Sequence, residues 1–149
     1  MLRFRCKSFD VLNTKELHSI LALRAEVFVV EQNCVYQDVD GKDPLALHLI
    51  GVVDDEVLAY ARIFAQGIAY ENYASIGRIV TSPSIRGKKI GHSLVANAIQ
   101  ECKYNYPEQH IKISAQSHLE KFYRSHGFLP TGEAYLEDGI PHIGMTLDV

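Results

Sequence analysis

The chain has 149 residues, 47% of them hydrophobic and 22% charged, which suits one domain with its own core and excludes a disordered chain. With 15 basic against 18 acidic residues, a net charge of −3 and no long basic tract, no nucleic-acid partner is expected; no apolar run nears the roughly 18 residues of a membrane span, so no membrane partner is expected either. Cys6, Cys34 and Cys102 are scattered, odd in number and without a CxxC pair, which points to reduced, cytoplasmic thiols rather than a disulfide framework or structural zinc.

The start, MLRFRCKSFDVL, lacks the long apolar core and cleavage site of a signal peptide. A short strand is expected from Leu2 to Phe9. Asn13-Thr14-Lys15-Glu16 offers N-cap residues followed by an acid. Leu17, Ile20, Leu21, Val27 and Phe28 then recur at helical spacing, so a first helix is expected to run to about Val30. Glu31 to Pro44 is polar, carries Asp38, Asp40, Gly41 and Asp43, and reads as a loop.

Leu45 to Val53 and Val57 to Phe64, joined by Asp54-Asp55-Glu56, read as a hairpin. Tyr73 to Val80 is a further strand, stopped at Thr81-Ser82-Pro83. From Gly91 the pattern turns helical through Leu94, Val95, Ala98, Ile99 and Cys102, and Pro107 closes that region. His110 to Ala115 is a short strand. Ser117-His118-Leu119-Glu120 matches a capping box, opening a helix that ends near Gly127. Two strands follow, Phe128 to Leu136 and Pro141 to Leu147, with a turn at Asp138-Gly139. The order β-α-ββ-β-α-β-α-ββ predicts a single α/β domain over residues 1–149, with a mixed sheet and helices on both faces.

The segment richest in chemistry runs from Ile76 to His92. A strand ends, a loop presents Arg86, Gly87, Lys88, Lys89, Ile90 and Gly91, and a helix begins at once. Amides at a helix N-terminus lack internal partners and sit at the positive end of the dipole, and glycines allow a ligand close approach, so the loop reads as a phosphate cradle. It is not a Walker loop: the position five before Gly87 is Ser82, and Lys88 is followed by Lys89. It is not a G-x-G-x-x-G fingerprint either, since Gly87 to Gly91 gives G-x-x-x-G. On spacing alone, Arg86, Lys88 and Lys89 also fit a solvated loop.

At these residues the chain resembles the GCN5-related N-acetyltransferase (GNAT) family, whose acetyl-CoA loop reads Q/R-x-x-G-x-G/A. Arg86 fills its first position and Gly91 its last, while Lys89 stands where the middle glycine is expected. Downstream, Gln116 occupies the place of a strand-ending Asn, and Phe122-Tyr123-Arg-Ser-His-Gly127-Phe128 matches a (L/F)-Y-x-x-x-G-F run in full. Arg24 to Gln32, Tyr36, Asp38, Asp40-Gly41, Asp43, His48 and the run Asp138 to Met145 look like the ElaA-type branch. The resemblance implies a mostly antiparallel sheet of about six to seven strands and acetyl-CoA as acetyl donor, with no metal. It implies pyrophosphate on the amides of Arg86 to Gly91, and the pantetheine arm along the main chain of Ile79 and Val80 and near Gln116. It also implies Tyr123 as general acid toward the leaving thiolate, since a phenol of pKa about 10 can hand a proton to a thiolate whose acid has a pKa near 8.5. The family often dimerises.

The acceptor, an amine of a small molecule or peptide, has to lose a proton before it attacks. Glu31, His48, Asp40 and His142 are the candidate bases. Glu31 and Gln32 end the first helix, where family members often build the acceptor wall; an exposed helix-end charge is the plainer reading of Glu31. His48, inside Leu45-Ala-Leu-His-Leu-Ile, reads first as a hydrogen-bonded structural histidine. His142 follows Pro141 in the final strand and is expected near the split of the sheet. Arg78 either orients an acidic group on the acceptor or forms a structural ion pair. Cys34 is the one cysteine near this pocket, and no nucleophile motif favours an acyl-enzyme. The expected reaction is direct attack in a ternary complex, with the Val80 amide stabilising the oxyanion. The rival readings are a CoA-binding sensor that transfers nothing and an anion-binding interaction domain.

Overall fold

The computed structural model describes residues 1–149. The elements are β1 (Arg3–Ser8), α1 (Thr14–Arg24), β2 (Leu47–Val53), β3 (Glu56–Phe64), β4 (Ala74–Thr81), α2 (Ile90–Asn105), β5 (Ile111–Gln116), α3 (Glu120–Arg124), β6 (Leu129–Glu137) and β7 (Ile140–Leu147). Seven strands form one sheet in the order β1-β2-β3-β4-β5-β7-β6. Neighbours are antiparallel except β4 and β5, which run parallel. The mixed, mostly antiparallel sheet and the element order match the sequence reading. The hairpin tips are where the sequence puts them, because Asp54-Asp55 and Asp138-Gly139 take the positive φ values that tight two-residue turns require.

Side-chain alternation splits the interior into two layers. Leu49 and Ile63 of the β2–β3 hairpin meet Leu94, Val95, Ala98 and Cys102 of α2 and Tyr123 of α3 on one face. Ile50, Val57, Tyr60 and Val80 meet Ile20, Leu23 and Val27 on the other. Helices therefore cover both faces, α1 on one and α2 with α3 on the other.

Two helix ends differ from expectation. The first helix starts as predicted: the Asn13 side chain accepts from the Glu16 amide at 2.7 Å, and the Glu16 carboxylate accepts from the Asn13 amide at 2.9 Å. Its α geometry stops at Arg24, however, and Ala25–Glu31 continues as a π-helix. Val27, Val29 and Val30 are β-branched and lose rotamer freedom in an α-helix, and the widened turns keep both Arg24 and Val27 against the sheet. The capping box at Ser117 does not form. Ser117–Leu119 is a 3-10 turn without a side-chain cap, and Glu120 pairs with Arg124 at 2.7 Å instead.

The polar loop after α1 is tied down by buried charge. Arg24, fully buried, donates to Asp38 at 2.8 Å and to Asp43 at 2.9 Å. Arg62 of β3 donates to both carboxylate oxygens of Asp40, at 2.9 and 2.8 Å, and to Asp43 at 2.9 Å. Arg78 of β4 donates to Asp38 at 2.8 Å. Three arginines thus meet three aspartates, and every carboxylate has a partner. Burial alone would raise the pKa values of Asp40 and Asp43, but the hydrogen bonds and charges of Arg62, joined at Asp43 by Arg24, outweigh it and hold both carboxyls below their usual range.

His48 lies beneath this cluster. Its Nε2 is 2.9 Å from the Asp43 carbonyl and its Nδ1 is 2.7 Å from the Tyr60 hydroxyl. A carbonyl only accepts, so Nε2 carries the proton and Nδ1 accepts from Tyr60. Burial pushes the His48 pKa down, so the ring is held neutral.

The sign of the pH dependence follows. A histidine with a depressed folded pKa withdraws stability as pH falls below its unfolded value of about 6.5, and aspartates with depressed folded pKa values withdraw it below about 4. Urea unfolding is expected to show a first decline below pH about 6.5 and a steeper one below about 4. Arg24→Met leaves Asp38 and Asp43 short of a buried partner and is expected to cost about 3–5 kcal/mol at neutral pH.

Candidate active site

The parallel pair β4–β5 is joined at only two positions, Ala74 opposite Ile111 and Ser75 opposite Lys112. Beyond them the strands part. On its other side β4 carries a bulge: Arg62 faces Gly77 and Tyr60 faces Val80, so β4 has one residue more than β3 between these pairs. Within that bulge Arg78 has φ +49°, a left-handed conformation that costs a non-glycine residue about 1–3 kcal/mol and persists where its surroundings enforce it. Here the enforcement is visible. Arg78 Nε donates to the Asp38 carboxylate at 2.8 Å and its Nη2 to the Asp38 carbonyl at 3.0 Å.

The opening left between the strands is a cleft with about 760 Å³ of empty volume. Ile76 to Ile79 line one wall, and Ile113, Ser114 and Gln116 of β5 line the other. Phe28, Gln32, Cys34 and Tyr36 close one end, while Glu137, Asp138, Ile140 and His142 reach in from the β6–β7 hairpin. Tyr123 enters from α3, and its ring meets Phe122 and Phe128 edge-on, with centroids 5.1 and 6.1 Å away. Burial, with no charge or hydrogen bond contributing, pushes its phenol up to about 12. The hydroxyl therefore keeps its proton at neutral pH.

Of the residues singled out in the sequence, Ile79, Gln116, Tyr123, Gln32, Arg78 and His142 line this cleft, as does Cys34. Val80 does not; its side chain is buried beneath α1, on the opposite face of β4 from Ile79. Glu31 also lies elsewhere. Its carboxylate accepts two hydrogen bonds from Arg86, both 2.7 Å. The Arg86 hydrogen bonds hold the Glu31 pKa below the usual carboxylate range, which makes it a weak base at neutral pH. Asp40 is committed to Arg62 and His48 to Asp43 and Tyr60. Among the four candidate bases only His142 faces the cleft. Arg78 takes the ion-pair role. Glu137 was not singled out in the sequence, Tyr36 entered only through the ElaA-type pattern, and Phe28 only through helical spacing; all three line the cleft. Glu137 had one usable signal: it directly precedes the Asp138-Gly139 turn, which puts it at a hairpin tip.

The glycine-rich loop enters α2 beside the cleft. Gly87 has φ +88°, and a Cβ added there would meet nothing within 4 Å. Gly91 would meet only Phe122, at 3.6 Å. Lys89, in the place of the expected glycine, has φ +58° and ψ +24° and caps α2. The turn therefore retains a glycine-like conformation, presented by a lysine. Helix amides without intrahelical partners face outward from an open, cationic turn, so the residues present fit a phosphate-bearing ligand. No group of three or more His, Cys, Asp or Glu side chains converges to hold a metal. His126, near the loop, meets His92 at 3.0 Å. Cys6 and Cys102 are pushed up to about 12, chiefly by burial, and are not nucleophiles.

A family model described as an acetyltransferase (GNAT) domain matches residues 15–149. The protein ElaA of Escherichia coli strain K12 is 44% identical over 151 aligned positions, spanning 100% of this chain and 98% of that protein. The crystal structure of Escherichia coli ElaA superposes with a TM-score of 0.93 at 40% identity, covering 99% of this chain and 100% of that one. An acyl-CoA N-acyltransferase from Pseudomonas aeruginosa superposes with a TM-score of 0.94 at 42% identity, covering 99% of both chains.

Lys89→Gly tests the strain in the loop. Relief of the left-handed lysine is worth about 1–2 kcal/mol, partly offset by the greater unfolded-state freedom of glycine. The melting temperature is expected to rise by about 2–4 °C, the shift that about 1 kcal/mol gives at this size. A melting temperature that falls would show that Lys89 is not strained.

Proposed function

The chain belongs to the GNAT acetyltransferase family and is an acyltransferase; from that premise we propose that it moves an acetyl group from acetyl-CoA to a primary amine of a small molecule or peptide, by direct attack in a ternary complex. The observation that carries this reading is Tyr123, whose phenol is buried and protonated and which lines the cleft that opens beside the β4 bulge.

In this reading the amides of Arg86, Gly87, Lys88, Lys89, Ile90 and Gly91 cradle the pyrophosphate, with the lysine charges adding attraction. Arg86 is shared with Glu31, so Glu31 acts by orienting Arg86 rather than as a base. The main chain of Ile79 and Val80 pairs with the pantetheine arm, next to Gln116. The bulge takes Arg78 and Ile79 out of the ladder, while Val80 lies opposite Tyr60 at its edge; the Val80 amide is the donor assigned to the oxyanion. Such a donor, fixed before the reaction, stabilises charge that appears only in the transition state. Gln32 and Arg78 shape the wall on which the acceptor rests. Tyr123 gives its proton to the departing sulfur, and a phenol that stays protonated to high pH is suited to donate over the whole neutral range. A cytoplasmic setting accords with the free thiols, and no helix is long and apolar enough to cross a membrane.

Tyr123→Phe removes one oxygen and leaves the ring contacts with Phe122 and Phe128. Steady-state turnover with acetyl-CoA and an amine is expected to fall by about 10²–10⁴-fold, the range for a positioned general acid. Acetyl-CoA affinity by calorimetry is expected to change far less, since the hydroxyl acts on transition-state charge. Full turnover in the Phe variant would remove Tyr123 from the mechanism. No turnover in either protein, with acetyl-CoA still bound, would mark a sensor.

A further inference from the structure

The proton that leaves the acceptor amine has no destination among Glu31, Asp40 and His48, since each is held by other partners. The β6–β7 hairpin supplies one. His142 is buried, and its ring stacks on Tyr135 with centroids 6.3 Å apart and planes 16° apart. Its Nδ1 is 2.7 Å from the Ile140 carbonyl, so Nδ1 carries the hydrogen and, in the neutral ring, Nε2 carries the lone pair. Nε2 lies 3.4 Å from Glu137 Oε2. The other Glu137 oxygen accepts from Ser114 Oγ at 3.3 Å, and Ser114 is bonded to the Tyr135 hydroxyl. Both Glu137 and His142 line the cleft.

The surroundings carry a definite charge. Facing His142 are Glu137 and Asp138 of its own hairpin, Tyr135 of β6, Gln116 of β5, and across the cleft Cys34, Tyr36, Arg78 and Tyr123. Arg78, the cation among them, is already bound to Asp38, and the Tyr36 hydroxyl donates to the same carboxylate at 2.8 Å. The Glu137 and Asp138 carboxylates are left without a lysine or arginine partner.

We propose that Glu137 and His142 form the acceptor subsite, that they select a cationic amine, and that His142 Nε2 takes its proton; this rests on the acetyltransferase reading above. The Glu137 carboxylate accepts a hydrogen bond from the arriving ammonium group. One N–H proton passes to Nε2 and then to solvent, and the imidazolium is stabilised meanwhile by Glu137. The freed nitrogen lone pair forms the bond to the acetyl carbon as the carbon–sulfur bond breaks. The second proton shed by nitrogen balances the one the sulfur receives, so the whole reaction releases one proton. The favoured acceptors carry ammonium groups and no carboxylate near the reacting end, as diamines and lysine-like side chains do.

Three five-carbon amines separate charge from size: 1,5-diaminopentane, pentylamine and 5-aminopentanoate. In wild-type protein kcat/KM is expected to fall in that order. Glu137→Gln, at a half-exposed position that does not threaten folding, is expected to lower the diamine about 3- to 10-fold and bring it level with pentylamine. His142→Gln is expected to lower kcat about 100-fold for all three and to abolish the acid limb of the pH profile. Its melting temperature and acetyl-CoA affinity report whether the fold has survived. Diamine binding to the CoA complex, read by calorimetry, is expected to weaken in Glu137→Gln. An order that survives Glu137→Gln, a preference for 5-aminopentanoate, or an intact acid limb in a folded His142→Gln would overturn the proposal. Diamine bound at Glu137 but no CoA released from any amine would refute the transferase reading instead.

Discussion

Asp38 accepts from Arg24 with one carboxylate oxygen and from Arg78 with the other, and its main-chain carbonyl accepts from both. One residue of a polar loop thereby joins α1 to β4. The loop could not otherwise lie against the sheet, because a buried carboxylate without a partner costs several kcal/mol. With the arginines in place it becomes a wall. The same bonds keep Arg78 in its left-handed conformation, and that conformation is part of the bulge at which β4 turns out of regular pairing with β3. A cleft beside a rigid bulge is the outcome of the charge cluster, and removal of Asp38 would release both the loop and the strand.

Three chemically distinct regions are presented at the cleft and beside it. Outside the cleft, the loop into α2 carries Lys88 and Lys89, and its Gly91 approaches Phe122, the neighbour of Tyr123. Within the cleft Ile79, Ile113 and Leu119 provide apolar walls, and Tyr123 holds a buried phenol. From the β6–β7 hairpin Glu137 and His142 present a carboxylate and an imidazole. Such an arrangement suits a long ligand with phosphates at one end and a reacting group at the other, meeting a polar co-substrate. Arg24, Arg62 and Arg78 do not take part in it, since their charge is spent on Asp38, Asp40 and Asp43. The Arg78 charge is paired with Asp38, and the carboxylates of the hairpin tip have no lysine or arginine partner.

The element order, both hairpin tips and the residues of the loop into α2 were legible because each rests on local rules: alternation, turn chemistry and helix periodicity. The resemblance of their motif singled out Tyr123 and Gln116, and both line the cleft. Three things were not legible. The π-helix from Ala25 to Glu31 preserves an α-like hydrophobic spacing, so the sequence shows one continuous helix. The pairing of Glu31 with Arg86 joins residues 55 apart in the chain, and no local pattern signals it. The fate of Arg78 and Asp38 depends on a loop folding back over the sheet, where the sequence shows only scattered aspartates. Glu137 stood beside a correctly read turn, but which face of the hairpin meets the cleft is fixed by the register of β7 with β5, Gln116 opposite His142.

The most direct measurement is amide hydrogen exchange with and without acetyl-CoA. Bound acetyl-CoA is expected to protect the amides of Ile79 and Val80 at the bulge together with those of Arg86 to Gly91 in the loop, and to leave the Asp54-Asp55 turn unchanged. Protection confined to the loop would describe an anion site without a reaction cleft. Protection at neither segment would contradict the account.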